Sequence, residues 1–121
     1  MVKFLFVYGT LRREFDNAYA CKLRAEAVFA GRATVAGSLF RIAHYPGFRF
    51  DPSGEVHGEL WELANPASTL AALDDYEGEE YERILTVVST GEAAWIYQYA
   101  TQPEPAKRID SGDFWAQIRV P

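Results

Sequence analysis

The run Leu73-Asp74-Asp75-Tyr76-Glu77-Gly78-Glu79-Glu80-Tyr81-Glu82-Arg83 places six carboxylates between Asp74 and Glu82, the densest chemical signal in the chain. Asn65-Pro66 predicts a helix start, with Asn as cap and Pro at the first helical position. Gly78 marks its end, so a helix is expected over Pro66–Glu77. On that helix Leu70, Leu73 and Glu77 fall at i, i+3 and i+7, one face. The leucines must face the core, and they carry Glu77 inward with them at the last turn. Partial burial and the negative end of the helix both penalise a charged carboxylate there. Both push its pKa above the ordinary value of about 4.3, which suits general acid–base work near neutral pH. Asp74 is the one competitor on that face, and Asp75, Glu79, Glu80 and Glu82 read as solvated surface charge.

Other readings compete for the same residues. Charge runs usually end as solvated helix ends. Binding of a hard cation would use such oxygens, but the spacing fits no EF-hand loop. His44, His57 and Cys21 lack zinc-ligand spacing, and no nucleophile elbow is present. The second stretch of interest is Phe4-Leu5-Phe6-Val7-Tyr8-Gly9-Thr10-Leu11-Arg12-Arg13. Val2 to Val7 is apolar except at Lys3, which predicts a strand buried on both faces. At Gly9 the missing side chain permits a sharp turn or close approach to a ligand. Main-chain N–H groups at such a turn can gather negative charge. From these residues alone an ordinary glycine turn after a buried strand is the favoured reading.

The elements that must hold these groups belong to one domain, 1–121, long enough to bury a core. A net charge of −5 disfavours nucleic acid, and no stretch is long and apolar enough to cross a bilayer. The N-terminus does not look like a signal peptide. The single cysteine, Cys21, excludes an internal disulfide framework, makes a cytoplasmic location the default and reads as a small packed residue. Asp16 or Asn17 could cap a short helix through Ala18–Ala25. Strands are expected over Ala27–Ala33 and Val35–Ile42, with Gly31 and Gly37 inside them as bulges or bends. His44-Tyr45-Pro46-Gly47 and Asp51-Pro52-Ser53-Gly54 read as turns around a Phe48–Phe50 strand. Over Glu55–Leu63, Val56, Gly58 and Leu60 share one strand face and His57, Glu59, Trp61 and Leu63 the other. Glu59 is there either a lining residue or an edge charge. Two further strands, Tyr81–Thr90 and Glu92–Thr101, meet at Gly91, with Trp95, Tyr97 and Tyr99 on one face, at least two of them core. Pro103 and Pro105 break the pattern, and Ile109–Trp115 returns as a short ordered segment.

Six motifs then occur in order: Tyr8-Gly9-Thr10-Leu11, Tyr45-Pro46-Gly47, Gly58-Glu59-Leu60-Trp61, Leu73-Asp74-Asp75-Tyr76-Glu77 followed by Tyr81-Glu82-Arg83, Trp95-Ile96-Tyr97, and Ser111-Gly112-Asp113-Phe114. Each is weak alone. Together, over nearly the whole chain, they resemble the gamma-glutamylcyclotransferase-like family, in particular its gamma-glutamylamine cyclotransferase and avirulence-induced-protein-like branch.

The resemblance implies an α+β fold, a small mixed β-barrel flanked by short helices with a cavity at one mouth. It implies that the backbone of Tyr8, Gly9, Thr10 and Leu11 holds a γ-glutamyl group and that Glu77 is the catalytic acid–base. Tyr81 and Tyr97 align with family tyrosines near the cavity. The implied reaction is an intramolecular aminolysis releasing 5-oxoproline, without metal or cofactor, from a small γ-glutamyl compound; the chain would act as a monomer or weak homodimer, away from membranes and nucleic acid. Two features depart from relatives: Glu14-Phe15-Asp16 stands where many carry a glycine, and the Glu77–Tyr81 spacing is short. Both bear on the leaving group. The rival reading is a silent barrel of the same fold that binds small molecules or partners. Against it, a silent relative has no reason to keep an inward charge at Glu77.

Overall fold

The structure, a computed structural model, describes residues 2–118, the side chain of Ile118 excepted. In chain order it runs β1 (Phe4–Val7), α1 (Ala18–Glu26), β2 (Ala27–Ala36), β3 (Ser38–Arg41), β4 (Pro46–Arg49), β5 (Glu55–Leu63), α2 (Pro66–Glu77), β6 (Tyr81–Val87), β7 (Ala93–Tyr99) and α3 (Phe114–Ile118). Single 3-10 turns follow α2 at Gly78–Glu80 and precede α3 at Pro105–Lys107. The fold is α+β: a curled, mixed sheet in the form of a half-barrel, with three short helices.

The sheet order is β2-β5-β1-β7-β4-β3, with β6 also paired to β7. Apolar side chains on both faces place β1 at the centre. Phe6 enters the cluster inside the curl with Phe48, Val56, Leu60 and Ile96. Leu5 and Val7 join the cluster under the helices with Leu23, Trp61, Leu70 and Leu73. Its neighbours are β5, antiparallel from Phe4↔Glu62 to Val7↔Glu59, and β7, parallel at Leu5↔Trp95.

The antiparallel ladder of β6 runs along the whole of β7, from Tyr81↔Tyr99 to Val87↔Ala93. Because a strand has two edges, β1 and β4 must share the other one. They do so in succession, β1 at Trp95 and β4 at Phe48↔Gln98. The chain leaves β1 at this fork, where ladder bonding is interrupted. At the far end, the Ser89 N–H donates to the Thr34 carbonyl at 2.9 Å and Ser89 Oγ accepts the Thr34 N–H at 2.9 Å, drawing the β6 end of the sheet toward β2.

Several sequence expectations hold. Asn17 caps α1, its side chain accepting the Ala20 N–H at 2.9 Å. A bulge falls between Phe29 and Gly31. The predicted faces of β5 enter the two clusters as read.

Others need correction. Of the three aromatics Trp95, Tyr97 and Tyr99, at least two of which are expected in the core, only Tyr97 is buried there; Trp95 packs partly buried against it. Asn65 makes no side-chain cap bond; Pro66 alone sets the start of α2. Gly37 lies between β2 and β3 rather than inside a strand. The backbone there must pass beside the Phe48 ring, which a Cβ would strike. Cys21 is exposed, not packed, because α1 turns Ala20 and Leu23 inward. Glu59 is neither an edge charge nor a lining residue of the main cavity but wholly buried. Among the described residues no helix is long and apolar enough to cross a membrane.

Candidate active site

A cavity of about 260 Å³ opens at the fork between β1 and β4. The chain following β1 supplies one wall, Tyr8, Gly9, Thr10 and Leu11. The end of α2 and its 3-10 turn supply Tyr76, Glu77 and Glu80; β6 and β7 supply Tyr81 and Tyr97. All seven residues predicted from the sequence, Tyr8, Gly9, Thr10, Leu11, Glu77, Tyr81 and Tyr97, line this one cavity. His44 and Tyr45 from the loop leading into β4, Pro46 at the start of β4, and Phe6 and Val7 of β1 line the rest.

Glu77 is the last residue of α2 because Gly78 follows at φ +68°, a conformation that favours glycine and ends the helix. The rotation of α2 is set by Leu70 and Leu73, both buried. Their burial contributes roughly 3–6 kcal/mol together. Turning Glu77 toward the cavity opposes this. Burial first, and the negative charge of Glu80 second, push its carboxyl up to about 7. That corresponds to a cost of roughly 3 kcal/mol when it is ionised, less than the leucines supply. Among the described residues the Glu77 carboxylate accepts no hydrogen bond.

Four of the tyrosines around it have their hydroxyl protons committed. Tyr8 donates to the Tyr97 carbonyl at 2.6 Å, and Tyr81 to the Pro46 carbonyl at 2.7 Å. Tyr97 donates to Asp74 Oδ1 at 2.7 Å, and Tyr45 to Glu80 at 2.9 Å. Burial is the main cause that raises the phenol pKa of Tyr8, Tyr81 and Tyr97, and the bond to Glu80 raises that of Tyr45. These hydroxyls are therefore neutral braces. The Glu77 carboxylate and main-chain N–H groups are among the polar groups of the cavity-lining residues that have no protein partner.

Those N–H groups belong to the loop after β1. Among the described residues the amides of Gly9, Thr10 and Leu11 donate to no protein acceptor, while the loop around them is pinned. The Arg12 N–H closes a turn onto the Gly9 carbonyl at 3.1 Å, and Asn17 Nδ2 donates to the Thr10 carbonyl at 2.6 Å. At Gly9 the absent side chain serves close approach: a Cβ would lie 2.9 Å from the Pro46 ring. Its φ is not among the positive values, so the glycine is required here by the approach of Pro46 and not by a left-handed backbone.

Three contributors were not legible in the sequence. Glu80, read as solvated charge, is exposed but sits at the cavity mouth held by Tyr45. Tyr76 stacks on Tyr19 of α1 at 3.9 Å between ring centres. Arg12 is buried, donating to Glu14 at 3.0 and 3.2 Å and to Asp113 at 2.9 Å. Burial alone would lower its pKa; the two carboxylates outweigh that and hold it above the ordinary value. Glu14, a departure from the family pattern, is thus the partner of a buried cation. Asp74, the competitor of Glu77, points instead to β6 and β7, where Arg83 grips it at 2.8 and 3.0 Å. Cys21 and His57 lie off the cavity.

A curled α+β half-barrel with short helices is the fold that the six motifs imply. Comparison with known proteins agrees. Residues 5–117 match the family described as gamma-glutamyl cyclotransferase, AIG2-like. The chain is 35% identical over 113 residues to the gamma-glutamylcyclotransferase family protein YtfP of Escherichia coli K12, covering 91% of this chain and 94% of that protein. The solution structure of E. coli YtfP superposes with a TM-score of 0.70, over 94% of this chain and 97% of that one. An AIG2-like protein of mouse, 24% identical, shares the fold with a TM-score of 0.72 over 93% and 87% of the two chains. The chain belongs to the AIG2-like gamma-glutamyl cyclotransferase family.

Proposed function

We propose that this protein is a γ-glutamyl (amine) cyclotransferase that releases 5-oxoproline from a small γ-glutamyl compound, with Glu77 as general acid–base. The observation that supports it most is the Glu77 carboxyl, free of protein partners and raised to about 7, in one cavity with Gly9, Thr10 and Leu11, whose amides are unpartnered. A group with that pKa is both a usable base and a usable acid near neutral pH.

Ionised Glu77 takes a proton from the α-ammonium of the substrate. The freed amine attacks the γ-carbonyl carbon of the same glutamyl unit, forming the new C–N bond and an oxyanion. The Gly9–Leu11 amides stabilise that oxyanion, an effect typically worth a few kcal/mol per donor. Glu77 gives its proton to the departing nitrogen, and the original C–N bond breaks. It then relays the second proton of the ring nitrogen to the same amine, which leaves as ammonium, and ends ionised as it began. Holding amine and carbonyl in one folded conformer supplies much of the acceleration. The walls of Tyr8, Tyr81 and Tyr97, braced from behind, hold the glutamyl unit in that fold. Every step uses groups of the chain and the substrate, and the lone, exposed Cys21 fits a cytoplasmic setting.

A panel of γ-glutamyl compounds, assayed for 5-oxoproline release, tests the reading. At least one member should turn over, and Glu77→Gln should lower its rate by about a hundredfold to ten-thousandfold. Binding without turnover across the panel, or wild-type turnover in Glu77→Gln, would overturn it and favour the silent module.

A further inference from the structure

Glu59 is a carboxylate that the proposed chemistry does not use, and it is wholly buried. Its Oε1 accepts the Arg13 N–H at 2.8 Å and the Trp61 indole N–H at 3.2 Å. Its Oε2 has no hydrogen-bond partner, and the Arg13 Nε stands 3.8 Å away, half exposed. A buried carboxylate with an orphan oxygen is costly, and a methionine or leucine would fill the same space without that cost. Stability alone therefore does not account for it.

Its position does. Glu59 is paired in register with Val7, the last residue of β1, where the cavity loop begins. Its side chain binds the amide of Arg13, where that loop ends. One residue thus fixes both ends of the segment Tyr8–Arg12. Its own orientation is fixed by a closed ring of contacts. The Arg13 guanidinium lies 4.2 Å over the Phe29 ring, Phe29 meets Trp61 edge-on at 5.4 Å, and Trp61 returns to Glu59. A charged acceptor holds an amide more strongly than a neutral one, which suits a loop whose own amides must stay unbonded.

We propose that Glu59 is a positioning residue which, by holding the entry and exit of the Tyr8–Arg12 loop, aims the Gly9, Thr10 and Leu11 amides at the ligand, on the preceding reading the γ-glutamyl unit. It acts through the loop and does not touch the substrate.

The test uses Glu59→Met, of similar size with no acceptor, and Glu59→Gln, which keeps a neutral one. Amide exchange of the ligand-free protein is read by NMR, so it does not depend on activity. In Glu59→Met the Arg13 amide should exchange at least about tenfold faster, and kcat/KM for the γ-glutamyl substrate should fall about ten- to a hundredfold, since small misplacements in a site cost that much. The rising limb of the pH–rate profile, which reports Glu77, should stay in place. Glu59→Gln should restore kcat/KM to within about threefold, with Arg13 exchange between the other two. Wild-type Arg13 exchange in Glu59→Met, a shifted pH limb, or a Gln variant as impaired as Met would each overturn the proposal. Should Glu59→Met fail to fold, an Arg13 amide unchanged in Glu59→Gln overturns it. If the wild type releases no 5-oxoproline from any substrate, the functional reading fails, while the exchange measurement still decides the role of Glu59.

Discussion

The hydroxyl of Tyr8 donates to the Tyr97 carbonyl at 2.6 Å and accepts the Phe48 N–H at 3.2 Å, so one side chain stands in for a main-chain bond between β7 and β4. It sits where β1 gives way to β4 along the edge of β7, the point at which the ladder would otherwise leave both groups unpaired. Tyr8→Phe leaves a carbonyl and an amide without partners in the fork. It should cost about 2–4 kcal/mol, read as a lower urea midpoint. An unchanged midpoint would show that the fork closes without it.

Asp74 and Tyr97 form a second brace. Asp74 is held by Arg83 first and by the Tyr97 hydroxyl second, and both keep its carboxyl below the ordinary range. Asp74→Asn and Tyr97→Phe should each raise KM, by about two- to tenfold, and the double variant should be no worse than the poorer single one. Additive losses would show that Asp74 acts independently of Tyr97. A depressed carboxyl contributes stability above the unfolded value of about 3.9 that is lost as pH falls below it. With the Asp74 side chain 43% exposed, that contribution should stay below about 1 kcal/mol.

What could be read from the sequence divides by distance along the chain. The end of α2 at Gly78, the inward turn of Glu77 and the two-faced burial of Phe4–Val7 follow from periodicities within a few residues. The groups that refine the site do not. Gly9 meets Pro46, Tyr45 binds Glu80, and Arg12 reaches Asp113, 101 residues away. Glu14, two residues on, does not by itself mark Arg12 as buried, since the second carboxylate comes from Asp113. Alternation puts Glu59 on the correct strand face but cannot distinguish an edge from the middle of a sheet. Its fate was set by β1 and β2 pairing on either side of β5.

At Gly9 the pressure comes from a neighbour rather than from backbone strain. Gly9→Ala would put a Cβ 2.9 Å from the Pro46 ring, and Pro46 carries the carbonyl that accepts from Tyr81. A rigid ring on the main chain yields less readily than a flexible side chain. The variant should stay folded by far-UV circular dichroism, lose about 1–3 kcal/mol of stability and bind 5-oxoproline at least about tenfold more weakly. Wild-type binding would place the cradle elsewhere.

Removal of the inward charge should stabilise the fold at high pH. The folded Glu77 carboxyl, at about 7, lies above its unfolded value of about 4.3. The folded state therefore holds the proton more tightly, and the benefit of burying a neutral carboxyl is complete below the unfolded value. It is lost as pH rises through the folded one. Wild-type stability should fall by about 1–3 kcal/mol between pH 4 and pH 8, and Glu77→Gln should lack this fall. Parallel curves for the two proteins would mean that Glu77 titrates normally.

Glu80 offers the sharpest test of how that pKa is set. The acidic run Asp74–Glu82 contains six carboxylates, yet only Glu77 and Glu80 line the cavity, and Glu80 is the charge that adds to burial in raising Glu77. The Tyr45 hydroxyl, at 2.9 and 3.2 Å from its two oxygens, keeps it at the mouth rather than in solvent. Glu80→Gln retains an acceptor for Tyr45 but removes the charge. Like charges disfavour ionisation, so the rising limb of the pH–rate profile should move to lower pH, toward the ordinary glutamate value. The shift should be less than about one unit, since exposed pairs are worth about 0.2–1 kcal/mol and a unit corresponds to about 1.4 kcal/mol. High salt should move the wild-type limb in the same direction and leave that of Glu80→Gln nearly still, because screening acts on the exposed charge and not on burial. Asp75→Asn and Glu79→Gln, which remove charges outside the cavity lining, should leave the limb in place. The substrate amine can add a limb of its own, but that limb belongs to the substrate and will not follow a substitution in the protein. A limb that stays fixed in Glu80→Gln would leave burial alone as the cause of the raised Glu77 pKa.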